Sequence, residues 1–421
     1  MRLLMFAATA LAAAPAVAAP DANATISSVV RGQPYRAAAA ALDTNHDKWV
    51  ADIVAITQIP SPPFKEQVRA RAFADMLKQR GLDPKIDAEG NVLALRKGAA
   101  PGAVVVVAAH LDTVFPEGTD VTVKREGTKL SAPGVGDDST GLATLLALVD
   151  AMNAGKIRTR SDVLFVGDVG EEGLGDLRGV RYLFEKGEYK GRIRAFFSLD
   201  GSGLQSMTTG GTGSKRYRVT YRGPGGHSYG AFGLVNPLVP LATTVNELYK
   251  VNVPADPKTT YSASVIGGGT SVNAIPNEVW LEVDMRSASA AELAKLERQL
   301  LDIVPRAVAA ENAARSTRTG KVSAELKPIG ARPAGGTPDN ADIVRFAEAA
   351  YRAEGLTVKK DISSTDANEP MSLGIPAITM SRVANSAGAH SPGEWVDVEK
   401  APNVKLKRIL LATIVATAGL P

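Results

Sequence analysis

A continuous apolar run at residues 103–109, rich in valine and bounded by Gly102 and His110, sets the first limit on the fold. A strand that is apolar at every position is buried on both faces, which is typical of a parallel sheet covered by helices. Shorter runs of the same kind recur farther along the chain, between helical patterns, at 163–166, 195–199 and 375–380. This alternation predicts an α/β fold with a mostly parallel sheet and helices on both faces.

The middle of the chain has a different pattern. Polar and apolar residues alternate at 217–221 and 278–284, which predicts half-exposed antiparallel strands. We therefore expect an α/β domain made of residues 19–213 and 326–421, into which residues 214–325 are inserted as a smaller α+β unit.

The N-terminal residues predict an export signal. The chain starts with a positive charge, residues 3–14 are apolar and rich in alanine, and residues 16–18 form a small-x-small cleavage site. We expect residues 1–18 to be a cleavable signal peptide and the mature protein to be periplasmic or secreted. No other segment reaches the ~18 uninterrupted apolar residues of a membrane-spanning helix, so no membrane insertion is expected.

Composition excludes several classes of function. The net charge is only +4 and aromatic residues make up 5% of the chain, so neither a basic patch nor a base-stacking surface indicates a nucleic-acid partner. There is no cysteine, which excludes disulfides, thiolate metal sites and cysteine nucleophiles. Histidine chemistry is limited to four residues: His46, His110, His227 and His390.

Acidic residues and histidines stand where the predicted strands end or where a helix follows them. They are His110, Asp112, Asp137, Asp168, Glu171, Glu172, Asp200 and His390. Ligands of open α/β sheets bind at the carboxyl ends of the strands, so we expect these side chains to converge. Imidazole and carboxylate together, without thiolate, favour zinc, manganese or cobalt.

Charge favours two ions over one at this edge. The carboxylates of Asp137, Glu172 and Asp200 would leave a single divalent ion with net negative charge. Two divalent ions leave one positive charge, which a bridging hydroxide cancels. His110 and His390 complete the set as neutral ligands.

Two further residues have expected roles beside the ions. Glu171 remains as a free carboxylate, as a general base requires. Asp112 lies two residues after His110, and on a strand such residues face the same way. We expect Asp112 to hold the second ring nitrogen of His110 and so fix its tautomer.

A serine hydrolase is a rival interpretation. Residues 226–230 fit the pattern G-x-S-x-G, with Ser228 as the nucleophile. Asp366 and His390 follow in the chain order that this fold expects. However, prolines around the motif disfavour the required strand-to-helix turn, and the acids that precede it stay unexplained. A non-catalytic binding protein is a third interpretation, and the presence of Glu171 beside a full ligand set argues against it.

Taken together, the motifs resemble the M20 metallopeptidase family, which includes carboxypeptidase G-type enzymes, tripeptide aminopeptidases, dipeptidases and aminoacylases. The resemblance runs from about residue 50 to 400, in the right order. The matching segments are 59–62, 87–92, 110–112, 136–141, 171–173, 268–276, 364–368, 374–377 and 390–391.

The resemblance implies a role for each predicted ligand. Asp137 is implied to bridge both ions. Glu172 and His390 would complete one ion site, and the other would be completed by His110 and Asp200.

The same resemblance implies an exopeptidase mechanism in which Glu171 is the general base and a hydroxide held between the ions attacks the amide. Zinc is the expected ion, with cobalt and manganese as alternatives. The peptide bond between Asp137 and Asp138 is expected to be cis. Ser139 replaces the lysine of the usual Asp-Asp-Lys pattern, at a position that is not a ligand.

The inserted unit resembles the lid and dimerisation domain of the family. His227 corresponds to a histidine that reaches the active site of the partner subunit and stabilises the oxyanion, so a homodimer is expected. Asn273 corresponds to a residue that lines the substrate side. Arg332 corresponds to the guanidinium that holds a substrate carboxylate, which suits its bidentate geometry.

A di- or tripeptide is the expected substrate. Aspartate at position 200 favours, by resemblance, aminopeptidases and dipeptidases, and Arg332 favours a substrate with a free carboxyl end. An N-acyl amino acid meets only the second condition, so an N-acyl amino acid amidohydrolase is the alternative.

Overall fold

The computed structural model describes residues 21–100 and 102–421, so the predicted signal peptide lies outside the described residues. The helices are α1 (Ala22–Arg31), α2 (Gln33–Thr44), α3 (His46–Thr57), α4 (Gln67–Gln79), α5 (Ser139–Ala154), α6 (Arg178–Glu185), α7 (Leu238–Leu248), α8 (Ala290–Ala314), α9 (Asp342–Ala353), α10 (Asn368–Ser372) and α11 (Lys400–Ala418). The strands are β1 (Lys85–Ile86), β2 (Val92–Arg96), β3 (Val104–His110), β4 (Lys124–Glu126), β5 (Lys129–Ser131), β6 (Asp162–Asp168), β7 (Ile193–Ser202), β8 (Ser206–Gly211), β9 (Gly213–Arg222), β10 (Gly226–His227), β11 (Thr259–Gly268), β12 (Ala274–Ile275), β13 (Glu278–Ser287), β14 (Ser323–Arg332), β15 (Gly335–Gly336), β16 (Lys359–Ser363), β17 (Ala377–Val383), β18 (Ser386–Ala387) and β19 (Trp395–Asp397). Within the described ranges, no helix has the length and apolar character needed to cross a membrane.

The central sheet has nine strands in the order β1-β2-β6-β3-β7-β17-β8-β15, with β16 paired to β8. The four strands in its middle, β6, β3, β7 and β17, run parallel to one another. The strands that flank them are joined to them by antiparallel pairs. The predicted α/β class, with a parallel central sheet and helices, is confirmed.

Side chains of β3 alternate between two apolar cores. Val105 and Val107 pack in the larger core with α3, α5 and α11, whereas Val104 and Val106 pack in a smaller core with α6. Each such buried side chain contributes about 1.5–3 kcal/mol of hydrophobic stabilisation. Because helices cover both faces of the sheet, the polar groups that end its parallel strands lie together at the carboxyl ends of these strands.

A second, antiparallel sheet has the order β11-β13-β9-β14. Along β13 buried and half-buried residues alternate, and its buried side chains pack in a separate core with α7 and α8. Strands β9 and β14 are neighbours, and Ser214 lies opposite Arg332. The chain therefore enters and leaves this unit through adjacent strands.

A small sheet of order β18-β19-β5-β4 holds two loops together. One loop joins β18 to β19 and carries His390, and the other follows β5 and carries Asp137. The backbone N–H of Ala132 donates to the carbonyl of Glu394 at 3.2 Å across these loops. The next residue after Asp137, Asp138, caps α5 by accepting the N–H of Gly141.

Candidate metal centre and active site

The five predicted metal ligands converge at the carboxyl ends of the parallel strands. His110 ends β3, and Asp200 lies near the end of β7. Asp137 precedes α5, Glu172 follows β6, and His390 lies in the β18–β19 loop. Their ligand atoms fall within 4.8 Å of one another in two groups that share Asp137, one with His110 and Asp200 and one with Glu172 and His390.

Asp137 lies between the two histidines. Its Oδ1 is 2.9 Å from Nε2 of His110, and its Oδ2 is 3.1 Å from Nε2 of His390. His390 Nε2 also lies 2.8 Å from Oε1 of Glu172. On the other side, Asp200 Oδ1 lies 4.0 Å from Nε2 of His110. A carboxylate with one oxygen toward each histidine has the geometry of a bridging ligand.

Glu171 is buried and faces Arg332. Its Oε1 accepts a hydrogen bond from Arg332 Nη1 at 2.7 Å, and the Glu171 carbonyl accepts one from Nη2. Burial raises the pKa of Glu171, the Arg332 guanidinium opposes this, and the neighbouring Glu172 adds to it, leaving the pKa well above its usual range. A carboxyl group whose pKa is raised in this way is suited to take up and return a proton. Arg332, predicted to hold a substrate carboxylate, is thus paired with the predicted general base.

Asp112 contacts His110 differently from the prediction. The ring Nδ1 of His110 lies 2.9 Å from the backbone carbonyl of Asp112, whereas the nearer carboxylate oxygen is 3.7 Å away. The carboxylate instead accepts the backbone N–H groups of Gly170, Glu171 and Glu172 at 2.9–3.1 Å. Because β3 ends at His110, the two-residue alternation of a strand does not extend to Asp112. Asp112 therefore fixes the loop that carries Glu171 and Glu172.

Glu394 fixes the second ligand loop, and sequence analysis did not find it. Its buried carboxylate accepts the N–H groups of Gly134, Gly136 and Asp137 at 2.7–2.8 Å. The peptide bond between Asp137 and Asp138 is cis, as the family resemblance implied.

Arg382 is a second residue that sequence analysis missed. It lies in β17 and is 4% exposed. Its Nη1 donates to Oδ1 of Asp200, Nη2 lies 3.7 Å from Oδ1 of Asp137, and Nε lies 3.5 Å from Oδ1 of Asp138. A fixed positive charge therefore stands against one side of the candidate metal centre.

A cavity of about 470 Å³ opens in front of these groups. Besides Asp137, Glu171, Glu172, Asp200 and His390, it is lined by four arginines: Arg216, Arg286, Arg332 and Arg382. Arg216 and Arg286 come from the second sheet and share the carboxylate of Asp284 at 3.1 and 2.7 Å. Two cations on one carboxylate leave positive charge facing the cavity, which suits an anionic group of a substrate.

His227 and Asn273 do not line this cavity. Both are exposed on the second unit, where β10 and β12 pair. Ser228 follows in a turn, and its N–H donates to the carbonyl of Asn273 at 2.9 Å. No helix begins there, so the elbow that the serine-hydrolase interpretation needs is missing from this segment.

The donor set fits two divalent ions of the zinc, cobalt or manganese type, because two imidazoles and several carboxylates converge without a thiolate. Burial raises the pKa of Asp200 to about 6, with Asp137 adding to the effect and Arg382 opposing it. Hydrogen bonds to Asp137 and Glu172 raise the pKa of His390 to about 10. Acids and bases that shift one another's pKa values in this way are typical of a cation site.

Comparison with known proteins agrees with this chemistry. The model of the family described as Peptidase family M20/M25/M40 matches residues 106–410, well over half of the chain. The chain belongs to this family, and it is a hydrolase of the M20 peptidase and amidohydrolase class.

Individual relatives are more distant. A proposed LysW-lysine/LysW-ornithine hydrolase of Pyrococcus abyssi is 29% identical over 177 residues, which are 42% of this chain and 47% of that protein. The chain thus matches about half or less of the length of its curated relatives. In fold it is similar to a tripeptidase from Staphylococcus aureus, with a TM-score of 0.72, 19% identity and coverage of 89% of this chain and 98% of that one. It is also similar to a dinuclear metal-binding M20 peptidase from Bacillus subtilis, with a TM-score of 0.65, 16% identity and coverage of 89% and 99%.

Proposed function

We propose that this chain is an exported exopeptidase that hydrolyses the amide bond of di- and tripeptides with the help of two divalent ions, zinc being the expected one. The observation that carries the proposal is Asp137, with one oxygen toward His110 and the other toward His390, beside the buried carboxyl of Glu171. When bound, such ions would polarise the scissile carbonyl and make the attacking water more acidic.

The chain's own groups supply the proton transfer and the substrate contacts. Glu171 takes a proton from the attacking water and returns it to the leaving amine. Arg332 holds Glu171 in place at 2.7 Å. Among the described residues, Arg286 pairs only with Asp284 through Nε, so its Nη groups are available to a substrate carboxylate at the lid side of the cavity.

A substrate panel tests the reaction. The mature protein is loaded with zinc and offered di- and tripeptides, the same peptides with the α-amine acetylated, and N-acyl amino acids. We expect turnover of the free peptides. Turnover of N-acyl amino acids alone would replace the proposal with the amidohydrolase alternative. Glu171→Gln should retain both ions and lose turnover, and unchanged turnover would refute the role of Glu171.

We further propose that the protein acts as a homodimer in which His227 and Asn273 serve the partner's cavity. Their exposure on the second unit, away from their own cavity, supports this, as do Tyr229 and Phe232, which are 90% and 85% exposed beside them. Mixing inactive Glu171→Gln and His227→Ala chains under exchange conditions should restore roughly a quarter of the activity, because random pairing completes one site in half of the dimers. No recovery, or a monomer in sedimentation, would contradict the shared site.

Export is tested separately. Expression of the full chain in a bacterial host should give a mature N-terminus after residue 18 or 19 in the periplasm or medium. An uncleaved cytoplasmic product would contradict it.

A further inference from the structure

The charge around the candidate metal centre is uneven. Arg382 faces three carboxylates, those of Asp137, Asp138 and Asp200, and is almost fully buried. A guanidinium stays protonated in proteins, so this charge is not removed by loss of a proton. It is a permanent neighbour of whatever binds to these carboxylates.

Arg382 lies on the side of one of the two ligand groups, because the oxygen of the shared Asp137 that it approaches, Oδ1, is the one that faces His110. Asp200 Oδ1, which is 4.0 Å from Nε2 of His110, is the same oxygen that accepts the hydrogen bond from Arg382 Nη1. In the other group, Glu172 forms an ion pair with His390 alone among the residues the structure describes. An ion on the Asp200 side would therefore share its ligand oxygen with a cation, and an ion on the Glu172 side would not.

We propose that Arg382 makes the two ion subsites unequal, so that the Asp137–Glu172–His390 subsite fills first and the His110–Asp137–Asp200 subsite fills second and more weakly. This rests on the two-ion site of the proposed function. Two causes act in the same direction. The buried guanidinium repels a second cation in a medium of low dielectric constant, and it competes for an Asp200 lone pair.

Metal titration of the mature, full-length protein tests the proposal without any activity assay. Zn²⁺ or Co²⁺ is titrated into metal-free protein, and binding is followed by calorimetry and by metal content after equilibrium dialysis. We expect two ions per chain with affinities that differ at least ~10-fold, the scale on which groups that hold metal ligands act. His390→Ala should lose the tighter ion, and His110→Ala should lose only the weaker one.

Variants of Arg382 test the cause. Arg382→Gln should tighten the second ion and bring the two affinities within roughly threefold. Arg382→Lys keeps a positive charge and should keep most of the gap, which provides a second variant if the glutamine form is poorly folded. Arg286→Gln is the matched control, because it removes a cavity arginine that does not touch the predicted ligands, and both affinities should stay unchanged.

The outcomes separate this inference from the proposed function. Equal affinities in the wild-type protein, an unchanged gap in folded Arg382→Gln, or loss of the tighter ion in His110→Ala would each overturn the inference while peptide hydrolysis could still stand. Failure of the wild-type protein to bind any divalent ion would overturn both.

Discussion

Replacing Lys407 by Met is expected to stabilise the protein, and the gain should depend on pH. Lys407 lies in α11 and is 1% exposed. Its Nζ has no hydrogen-bond acceptor in the part of the chain that the structure describes, and it stands 3.6 Å from the centroid of the Trp49 ring. Burial lowers the pKa of Lys407 from 10.5 to about 7.

The other titratable groups near Lys407 do not compensate its charge. The small cavity beside it is lined by Lys48, Asp52 and Asp150. Asp150 pairs with Lys48, and Asp52 pairs with Arg80. His46 is packed on the Trp49 ring nearby. Its burial lowers the pKa of His46 most, and the positive charge of Lys407 lowers it further.

The sign and size of the effect follow from proton linkage. The folded-state pKa of Lys407 is below the unfolded value, so between about pH 7 and 10.5 the unfolded chain holds a proton that the folded chain has released, and stability rises with pH. Below that range the full difference, on the order of 5 kcal/mol, destabilises the folded state. The cation–π contact with Trp49 offsets up to about 2 kcal/mol. The gain in the free energy of unfolding from Lys407→Met should therefore be larger near pH 6 than near pH 10.5 by about 3 kcal/mol.

Urea unfolding of both proteins at several pH values measures this difference. Methionine has a similar length and shape, so little repacking is required. Lys405→Met is the control, because Lys405 lies in the same helix and donates to the carbonyl of Glu354 at 3.3 Å. A gain that does not change with pH, or a loss of stability near pH 6, would refute the reasoning.

Three further predictions concern the buried carboxylates. Asp112→Asn places an N–H against the loop amides, so affinity for the divalent ions in equilibrium dialysis should fall ~30-fold, about 2 kcal/mol, and an unchanged affinity would contradict the role assigned to Asp112. Glu394→Gln should lower the free energy of unfolding of the metal-free protein by about 2 kcal/mol, measured in urea, because the side-chain amide nitrogen of glutamine would face at least one of the three N–H groups that the carboxylate accepts. Asp168 and Asp366 are two buried acids with raised pKa values. Burial, and after it the charge of Asp168, raises the pKa of Asp366, and burial raises the pKa of Asp168 to about 7. Between about pH 4 and 7 the folded pair holds a proton that the unfolded chain has released, so stability falls as pH rises over this range. Asp366→Asn should therefore stabilise the metal-free protein by about 2 kcal/mol near pH 9 and not near pH 4, and equal effects at both values would count against it.

The parallel core and the ligand edge could be predicted because they depend on short-range patterns. A strand covered on both faces must be apolar throughout, and the polar residue that stops the run marks its end, as Val107 and His110 illustrate. The order of motifs then related these ends to a known family. By contrast, α1 and α2 were not predicted, although Tyr35, Ala38 and Leu42 are buried at helical spacing and would have indicated α2.

The residues that were missed act through tertiary contacts that leave no periodic signal. Arg382 is one basic residue at the end of a strand, and nothing in its neighbours along the chain indicates three carboxylates around it. Glu394 lies 257 positions from Asp137, whose N–H it accepts. Asp112 shows a different kind of difficulty, since the alternation used to orient it holds only inside a strand and β3 had already ended.

The adjacent entry and exit strands of the inserted unit have a consequence for engineering. Ser214 and Arg332 lie side by side in β9 and β14, so excising the insert would require only a short splice between the strands' outer ends. Yet Arg332 is the last residue of β14, beyond the predicted insert of residues 214–325, and it holds the Glu171 carboxylate, so an excision that takes the whole strand removes it as well. A protein trimmed of all of β14 would thus leave Glu171 without its guanidinium partner, and a chimera that exchanges the inserted unit together with β14 between relatives would transplant part of the candidate site along with that unit.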